Sequence, residues 1–369
     1  MSGTSYLSWR NLRKKLKSEL MDIEEKISLA KKPPTEEIVT EAELKELFEA
    51  KDHPTHYIGY EISGKLHIGS LILPGYKIKD LLGAGCNCTV FLADWHAWIN
   101  NKLEGDWDAL KMASEYYREA FGLISPKIKI ILGSDLYHNN DEYWKDVLLI
   151  GKNSTVARTS KCLPIMGRKE GESGDTSFLI YPLMQAADIK IMDIDIAHAG
   201  MDQRKAHMLA RDVFPKLGWK PPVALHHSLL GGLAKPEEGE ENAKMGKSKP
   251  HTCIFIHDSK AEIKQKIEKA WCPDKTVKGN GILSYVKYLI FREFESFDVE
   301  RPAKYGGNIS YSSYSEVERD FVSGKLHSAD LKAAVADYLD RIVAPYREHF
   351  QKPAKARLLE VYNKVGITR

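Results

Sequence analysis

The spacing of apolar positions divides most of this chain into alternating short β runs and helical stretches. Five runs rich in β-branched and aromatic residues predict strands at Tyr57–Tyr60, Cys88–Leu92, Ile128–Leu132, Ile194–Ala197 and Val223–His226. Between them, apolar residues recur at three- and four-residue intervals, which is typical of helices such as Trp107–Phe121 and Gln203–Phe214. This alternation across residues 36–235 predicts an α/β fold built on a Rossmann-like, doubly wound parallel sheet.

Two flanking regions depart from the alternation. Residues 1–35 predict a short N-terminal helical extension that Pro33 and Pro34 end, and its apolar stripe is formed by Leu12, Leu16, Leu20, Ile23 and Ile27. Basic residues among the stripe positions fit either a solvated face or a contact with RNA phosphates. Residues 236–260 are predicted as a loop and linker. Residues 261–369 are predicted as an α-helical C-terminal domain, with helices at Ala261–Ala270, Ile282–Phe291, Tyr314–Ser323 and Ala329–Tyr346.

Composition narrows the function classes only slightly. The 369 residues are 43% apolar, enough for more than one core, and the net charge of +3 permits a nucleic-acid partner without demanding one. The five cysteines are odd in number and lack paired CxxC spacing, so we expect reduced thiols, no zinc site and a cytoplasmic protein. No apolar run approaches the length of a membrane span, and we expect no membrane partner.

The stretch Tyr57–Ser70 carries the first candidate chemistry. A β run passes through Ser63-Gly64 and is predicted to open a helix near Leu66, which places His67 and Gly69 in the first helical turn. Free N–H groups at a helix N-terminus attract phosphate, His67 would donate to phosphate oxygens, and Gly69 would let a flat base approach the backbone. Alone the signal is weak, because a histidine in such a turn is more often structural.

The second candidate segment is Lys244-Met-Gly-Lys-Ser248, which follows a polar stretch. Two lysines three positions apart on a loop can close over a polyphosphate and neutralise charge that develops in the transition state. A solvated basic loop is the alternative if this segment is taken alone. The presence of both segments in one chain is a specific sequence signal, which neither segment gives alone.

The words HIGS and KMGKS resemble the HIGH and KMSKS motifs of class I aminoacyl-tRNA synthetases. From about Glu36 to Arg347, the chain is similar to tyrosyl-tRNA synthetases of the archaeal and eukaryotic type. The segments that carry this similarity are YIGYEISGKLHIG, FLADWHAW, YPLMQAADI, AGMDQRKAHMLAR and NGILSYVKYLIF. Ser70 replaces the last residue of HIGH, and Gly246 replaces a serine of KMSKS. The resemblance implies that His67, Lys244 and Lys247 are catalytic, and that Gly59, Gly69, Ser70, Met245 and Ser248 contribute to ATP binding.

The segment Tyr181–Asp188 supplies the strongest side-chain pattern. Tyr181, Gln185 and Asp188 are spaced four and three apart, so they share one helical face and need polar partners there, from the protein or from a ligand. The resemblance implies that Asp188 and Tyr57 hold the phenol hydroxyl of tyrosine, and that Tyr181, Gln185 and Gln203 surround its ammonium group. His96 would line the same pocket, although a histidine satisfied within the core is the alternative.

The loop Ala199–Gln203 follows a predicted strand. Gly200 would admit adenosine and Asp202 would accept from a ribose hydroxyl, with a simple helix N-cap as the alternative for Asp202. The resemblance assigns Arg204 and Lys205 to the tRNA acceptor stem, against the alternative of an exposed basic pair without a partner. It assigns Tyr305 and Asp330 to the first anticodon base, by stacking and by hydrogen bonding, although Asp330 also fits a helix N-terminal charge.

These patterns predict a tyrosine–tRNA ligase that forms tyrosyl-adenylate from L-tyrosine and ATP and transfers the tyrosyl group to the 3′ end of tRNA. ATP is expected as a substrate with Mg²⁺, without a tightly bound metal or organic cofactor, and a homodimer is the family's rule. The rivals are a tryptophan-specific synthetase, a tRNA-binding paralogue without catalysis, and a small-molecule adenylyltransferase. Tyr57 and Asp188 suit a hydroxyl better than an indole, the lysines and His67 favour catalysis, and an adenylyltransferase would not need the helical domain.

Overall fold

The computed structural model describes residues 21–167, 174–237, 243, 245 and 250–364. The stripe positions Leu12, Leu16 and Leu20 of the predicted extension lie outside these residues. None of the helices in these ranges combines the length and apolar character that crossing a bilayer requires. The cysteines Cys86, Cys88, Cys162, Cys253 and Cys272 are all buried free thiols.

A six-stranded sheet forms the centre of the molecule. Its strands are β1 (Thr35–Val39), β2 (Thr55–Glu61), β3 (Asn87–Ala93), β4 (Lys129–Leu132), β5 (Ile196–Gly200) and β6 (Val223–His227). They lie in the order β1-β6-β5-β2-β3-β4, and every neighbouring pair is parallel except β1 and β6. The doubly wound parallel sheet is therefore confirmed, with one antiparallel edge strand added to it.

Ten helices surround this sheet in the described part of the chain. They are α1 (Ile23–Lys31), α2 (Glu41–Ala50), α3 (Ile72–Gly83), α4 (Asp94–Ile99), α5 (Trp107–Gly122), α6 (Gly133–Tyr137), α7 (Asp141–Lys152), α8 (Val156–Ser160), α9 (Ser177–Ile191) and α10 (Arg204–Val213). Side chains alternate between the two faces of each strand, so the sheet has two cores. Ile58 and Val90 face one core with Ile78 of α3, while Tyr57 and Phe91 face the other with Leu209 of α10.

Three departures from the predicted elements matter in this region. The helix after the HIGS segment begins at Ile72 rather than near Leu66, so His67 and Gly69 lie in the turn that precedes it. Strand β5 begins at Ile196 rather than Ile194, and β1 was not predicted. The sequence of β1 is largely polar, because an edge strand needs few apolar side chains when a single neighbour covers it.

The C-terminal region is mainly helical, as predicted. Its helices are α11 (Lys260–Lys269), α12 (Gly281–Tyr285), α13 (Phe291–Glu293), α14 (Tyr314–Ser323), α15 (Ser328–Gln351), α16 (Pro353–Ala356) and α17 (Val361–Lys364). A π-helical turn at Val286–Ile290 joins α12 to α13, where the apolar spacing predicted one continuous helix. A short antiparallel ribbon of β7 (Phe297–Val299) and β8 (Ile309–Tyr311) was not predicted. Helix α15 continues to Gln351, beyond the predicted end at Tyr346.

Helix α3 joins the N-terminal and C-terminal regions through a buried ion pair. The Lys77 ammonium lies 3.0 Å from the Asp80 carboxylate, and that carboxylate also contacts Arg292 of α13 at 2.6 Å. The same ammonium donates to three carbonyl oxygens at the end of α1, those of Leu29, Ala30 and Lys32. Lys77 therefore satisfies carbonyls that the end of α1 leaves without helical partners.

Candidate active site

A cavity of about 410 Å³ opens at the carboxyl ends of the central strands. This is the position where sheets of this kind bind their ligands. The cavity brings together eleven of the predicted site residues: Tyr57, Gly59, Gly69, Ser70, His96, Tyr181, Gln185, Asp188, Gly200, Asp202 and Gln203. Residues that are far apart in the chain, on β2, α9 and the loop after β5, thus share one site.

Asp188 lines this cavity and is almost completely buried. One of its carboxylate oxygens accepts hydrogen bonds from the Tyr137 hydroxyl at 2.8 Å and from the Tyr143 hydroxyl at 3.0 Å. Burial raises the pKa of Asp188 to about 8, and the two hydroxyl donors oppose that rise. The carboxyl group is thus held by two donors, and its other oxygen lies 3.7 Å from Nε2 of His96.

The side chains around Asp188 are themselves buried and positioned. Burial and the nearby Asp188 carboxylate raise the pKa of Tyr57, so its hydroxyl stays protonated, while a hydrogen bond from Gln185 acts in the opposite direction. His96 packs edge-on against the Tyr181 ring at 4.5 Å between centroids, and burial lowers its pKa to about 3. All of these rings are therefore neutral near pH 7, and they present hydroxyl and imidazole groups rather than charges.

Three residues of this polar region were missed in the sequence. Tyr137 ends α6, the short helix that follows β4, and Tyr143 lies on α7 with its ring stacked on Tyr137 at 4.2 Å between centroids. Glu61, the last residue of β2, accepts from the Tyr181 hydroxyl at 3.2 Å and from Asn100 at 2.8 Å. Glu61 directly follows the predicted strand Tyr57–Tyr60, and its place at the carboxyl end of that strand was the signal that could have found it.

The opposite end of the cavity leaves little room for side chains. A Cβ atom on Gly200 would lie 2.5 Å from Oδ1 of Asp202 and 2.8 Å from the Leu229 side chain. On Gly69, a Cβ atom would lie 3.0 Å from the Met245 sulfur and 3.3 Å from the His67 ring. Glycine is therefore the residue that fits at both positions, and a flat group can approach the backbone there.

The turn at His67–Ser70 is closed by its own side chain. The Ser70 hydroxyl accepts from the His67 N–H at 2.9 Å and donates to the His67 carbonyl at 3.1 Å. His67 also pairs with Phe255 in an isolated antiparallel bridge, so the turn contacts the segment that follows Lys244–Ser248 in the chain. Ser70 thus has a structural reason to be serine, in addition to its place on the cavity wall.

The remaining predicted residues that the structure describes do not line the cavity. Lys244, Lys247 and Ser248 are not among the described residues, whereas their neighbour Met245 contacts Gly69. Arg204 is bound by the edge strand, because its guanidinium donates to Glu37 at 2.7–3.0 Å and lowers the pKa of that carboxyl group. Lys205, the next residue of α10, is exposed.

Tyr305 and Asp330 belong to the C-terminal region. Tyr305 ends a short turn of 3₁₀ helix, its side chain is 61% exposed, and the Lys304 ammonium lies 4.9 Å from its ring centre. The next two residues, Gly306 and Gly307, have positive φ angles of 96° and 70°, which favour glycine. Asp330 lies in the first turn of α15, where the N-cap is the side chain of His327.

Comparison with known proteins links this site to one enzyme family. The family of class I tRNA synthetases (W and Y) matches residues 49–344. A protein from Thermococcus gammatolerans named tyrosine–tRNA ligase is 47% identical over 95% of this chain and all of its own length. A solved structure of tyrosyl-tRNA synthetase complexed with L-tyrosine, from Pyrococcus horikoshii, has a TM-score of 0.86 and 44% identity, covering 92% of this chain and 100% of its own. The tyrosyl-tRNA synthetase of Aeropyrum pernix is similar, with a TM-score of 0.83 and 42% identity over 93% of this chain and 100% of its own.

Proposed function

Since this chain belongs to the class I tRNA synthetase family for tryptophan and tyrosine, we propose that it is a tyrosine–tRNA ligase. The observation that carries the choice of amino acid is the buried carboxyl group of Asp188, which faces the cavity together with the Tyr57 hydroxyl. A phenol hydroxyl placed there donates to Asp188 and accepts from Tyr57. Phenylalanine would make neither of these two hydrogen bonds, and tryptophan offers no hydroxyl to accept the second bond.

The two steps need no side-chain nucleophile. The tyrosine carboxylate attacks the α-phosphate of ATP, which gives tyrosyl-adenylate and releases pyrophosphate, and the terminal ribose hydroxyl of the tRNA then takes the tyrosyl group. Tyr181, Gln185 and Gln203 orient the ammonium group, and His96 forms part of the wall beside the ring. The protein contributes position and electrostatic stabilisation, which together account for large rate factors.

ATP, as its Mg²⁺ complex, takes the end of the cavity where glycines form the wall. Gly59 and Gly69 admit the nucleotide, Gly200 admits the adenosine, and Asp202 accepts from the ribose. His67, Lys244 and Lys247 stabilise the charge on the phosphates, and Ser70, Met245 and Ser248 complete the contacts. The position of Met245 against Gly69 supports this arrangement, because Lys244 is its covalent neighbour.

Transfer RNA extends from this cavity to the C-terminal region. Arg204 and Lys205 bind the acceptor stem, and the exposed ring of Tyr305 stacks on the first anticodon base beside Asp330. The ion pair with Glu37 fixes the position of Arg204, and the neighbouring Lys205 is the exposed cation of the pair. The enzyme is a cytoplasmic homodimer in this proposal.

An ATP–pyrophosphate exchange assay with each of the twenty amino acids tests the proposal. We expect tyrosine alone to support rapid exchange, with phenylalanine and tryptophan far below it. The assay is then repeated as aminoacylation with purified tRNA that carries a tyrosine anticodon. Exchange that depends on tryptophan, or that needs no amino acid, would contradict the proposed activity.

A further inference from the structure

Three buried histidines form a diagonal row across the central strands. His56 lies near the start of β2, His198 is in β5, and His227 ends β6. In the register of the sheet, His198 is opposite Ile58 and His227 is opposite Gly200, so each histidine lies two residues further along than the one before it. Residues directly opposite one another share a face of the sheet. The three rings therefore lie on the same face and rise toward the carboxyl ends of the strands.

The rings are joined by hydrogen bonds between their nitrogens. Nε2 of His56 lies 3.1 Å from Nδ1 of His198, and Nε2 of His198 lies 2.9 Å from Nδ1 of His227. His56 and His198 are fully buried, and His227 is 5% exposed because it reaches the wall of the cavity. The row thus runs from the interior of the sheet to the nucleotide end of the site.

Each ring carries a single ring proton. Burial lowers the pKa of His56 and of His227 to about 3 and that of His198 well below its ordinary value, and the buried Lys77 ammonium adds to this in all three. In a row of neutral imidazoles, every link has one donor and one acceptor, so the direction of one bond fixes the direction of the next. Two arrangements remain: all three protons on Nε2, or all three on Nδ1.

The inner end of the row distinguishes the two arrangements. Nδ1 of His56 is buried and has no hydrogen-bond partner among the residues that the structure describes. A proton at that nitrogen would be a buried donor without an acceptor, and orphaned N–H groups are rarer in proteins than under-used acceptors. The proton of His56 therefore belongs on Nε2, and the same direction at both links leaves His227 with an Nε2–H group at the cavity wall.

The position of that donor identifies what it meets. A Cβ atom built on Gly200 would lie 3.6 Å from Nε2 of His227 and 2.5 Å from Oδ1 of Asp202, so the donor and a carboxylate flank one point of the wall. A hydroxyl group is the ligand that uses both, because its oxygen accepts from one and its proton goes to the other. Other acceptors, such as a ring nitrogen or a phosphate oxygen, would leave Asp202 facing a second acceptor.

We propose that His227 is a positioning residue for the ribose of ATP: its Nε2–H donates to a ribose hydroxyl whose proton Asp202 accepts, and the row from His56 through His198 holds His227 in that tautomer. This inference rests on the proposed function, which places ATP at this end of the cavity. The inference adds His227 to the nucleotide site. It also assigns to His56 and His198 the role of fixing the tautomer of His227, in addition to packing.

Direct binding of nucleotides to the full chain, without tyrosine, tests the donor. We expect wild-type protein to bind either 2′-deoxyATP or 3′-deoxyATP about tenfold more weakly than ATP, as the loss of a paired hydroxyl predicts. His227→Leu should weaken ATP binding by a similar factor. It should also remove most of the difference in affinity between ATP and the analogue that the wild-type protein binds more weakly. His227→Gln, which keeps an N–H group at the equivalent distance, is the matched control and should restore both. If His227→Leu weakens ATP and both analogues equally, the residue only packs against the nucleotide and the proposal fails.

The tautomers are read from spectra of the unmodified sequence, and variants serve only to assign the signals. Protein with ¹⁵N-labelled histidine gives two-bond nitrogen–proton correlations that separate Nε2–H from Nδ1–H rings, and single His→Gln variants assign the three signals. We expect all three rings as Nε2–H tautomers. An Nδ1–H form at His227 would overturn the proposal.

The two proposals fail in different ways. If tyrosine-dependent exchange is absent while ATP binding shows the hydroxyl dependence at His227, the choice of amino acid is wrong and the ribose contact stands. If exchange is normal and the hydroxyl dependence is unchanged by His227→Leu, the ligase assignment stands and the role of His227 is wrong.

Discussion

The polar groups around Asp188 and the aromatic turn at Tyr305 are two sites built in opposite ways. Asp188 is buried, two tyrosine hydroxyls donate to it, and its pKa is far from the ordinary value. Tyr305 is mostly exposed on a short turn, with a lysine beside its ring. A buried polar group without its partner costs free energy that water cannot replace, whereas an exposed ring loses only the contact itself. We therefore expect large effects of mutation at the first site and modest ones at the second.

The same difference explains what each site can select. In the proposed site, Asp188 would distinguish ligands by one hydroxyl group, since a ligand without it cannot make the hydrogen bonds to Asp188 and Tyr57. An exposed ring stacks on any base, because every base has a flat face, so discrimination there must come from a second group such as Asp330.

Asp188→Ala should give the largest effect. It removes the acceptor for the Tyr137 and Tyr143 hydroxyls and for the substrate phenol, so kcat/KM for tyrosine should fall by about 3 kcal/mol or more, over a hundredfold. Exchange kinetics measure the loss, and circular dichroism checks that the fold remains. Tyrosine activation at the wild-type level would show that Asp188 does not bind the substrate.

Lys244→Ala and Lys247→Ala test whether large effects are confined to buried groups. Each should lower kcat for exchange by about a hundredfold while changing ATP binding less, because the charge that the lysines meet develops in the transition state. Steady-state exchange at varied ATP separates the two parameters. A higher KM for ATP with unchanged kcat would instead make the lysine a contact of the ground state.

Tyr305→Ala should have a smaller effect that is restricted to RNA. Loss of one stacking contact is expected to weaken tRNA binding by roughly 1–3 kcal/mol. Aminoacylation should show the loss, and tyrosine-dependent exchange, which needs no tRNA, should be unchanged. Tyr305→Phe keeps the ring and serves as the matched control; a loss as large in Phe as in Ala would argue against stacking.

The raised pKa of Asp188 predicts a pH dependence of stability. The folded state keeps a proton on this group up to about pH 8, whereas the unfolded chain releases it near pH 4, so the free energy of unfolding falls as pH rises through that window. The Asp188→Asn variant has no ionisable group at this position, so its free energy of unfolding lacks this pH-dependent contribution. Urea unfolding at pH 6 and 7 should therefore show wild type losing about 1 kcal/mol relative to the variant. A difference that stays constant with pH would place the ionised carboxylate in the folded state.

Asp330→Ala should give the smallest effect. A half-exposed carboxylate that bonds a base edge contributes about 1 kcal/mol or less. The expected change is a reduced preference for the correct first anticodon base, measured by aminoacylation of wild-type and anticodon-substituted tRNA. Equal discrimination in wild type, Tyr305→Ala and Asp330→Ala would show that the anticodon is recognised elsewhere.

The sequence predicted most of the fold because the buried strands and helices repeat apolar residues at their own periods. It missed β1, where Glu36 and Glu37 interrupt an edge strand, and it misplaced the start of α3, because the apolar spacing of Ile68 and Leu71 continues through the preceding turn. Helical spacing brought Tyr181, Gln185 and Asp188 together. The histidine row could not be found that way, since its members become neighbours only through the register between strands. Tyr137 could not either, because its partners Tyr143 and Asp188 lie on other helices.

The carbonyl contacts of Lys77 bear on how the chain can be shortened. The described part of the segment before β1, which includes α1, contributes no residue to the cavity wall. A shortened protein could therefore be designed to begin at β1. Here the deletion would take away the carbonyls of Leu29, Ala30 and Lys32 and leave a buried ammonium group with Asp80 but without these three acceptors. Asp80, the partner of that ammonium group, also binds Arg292 of α13. Shortening the chain at its beginning would therefore disturb an ion pair that holds the C-terminal region as well.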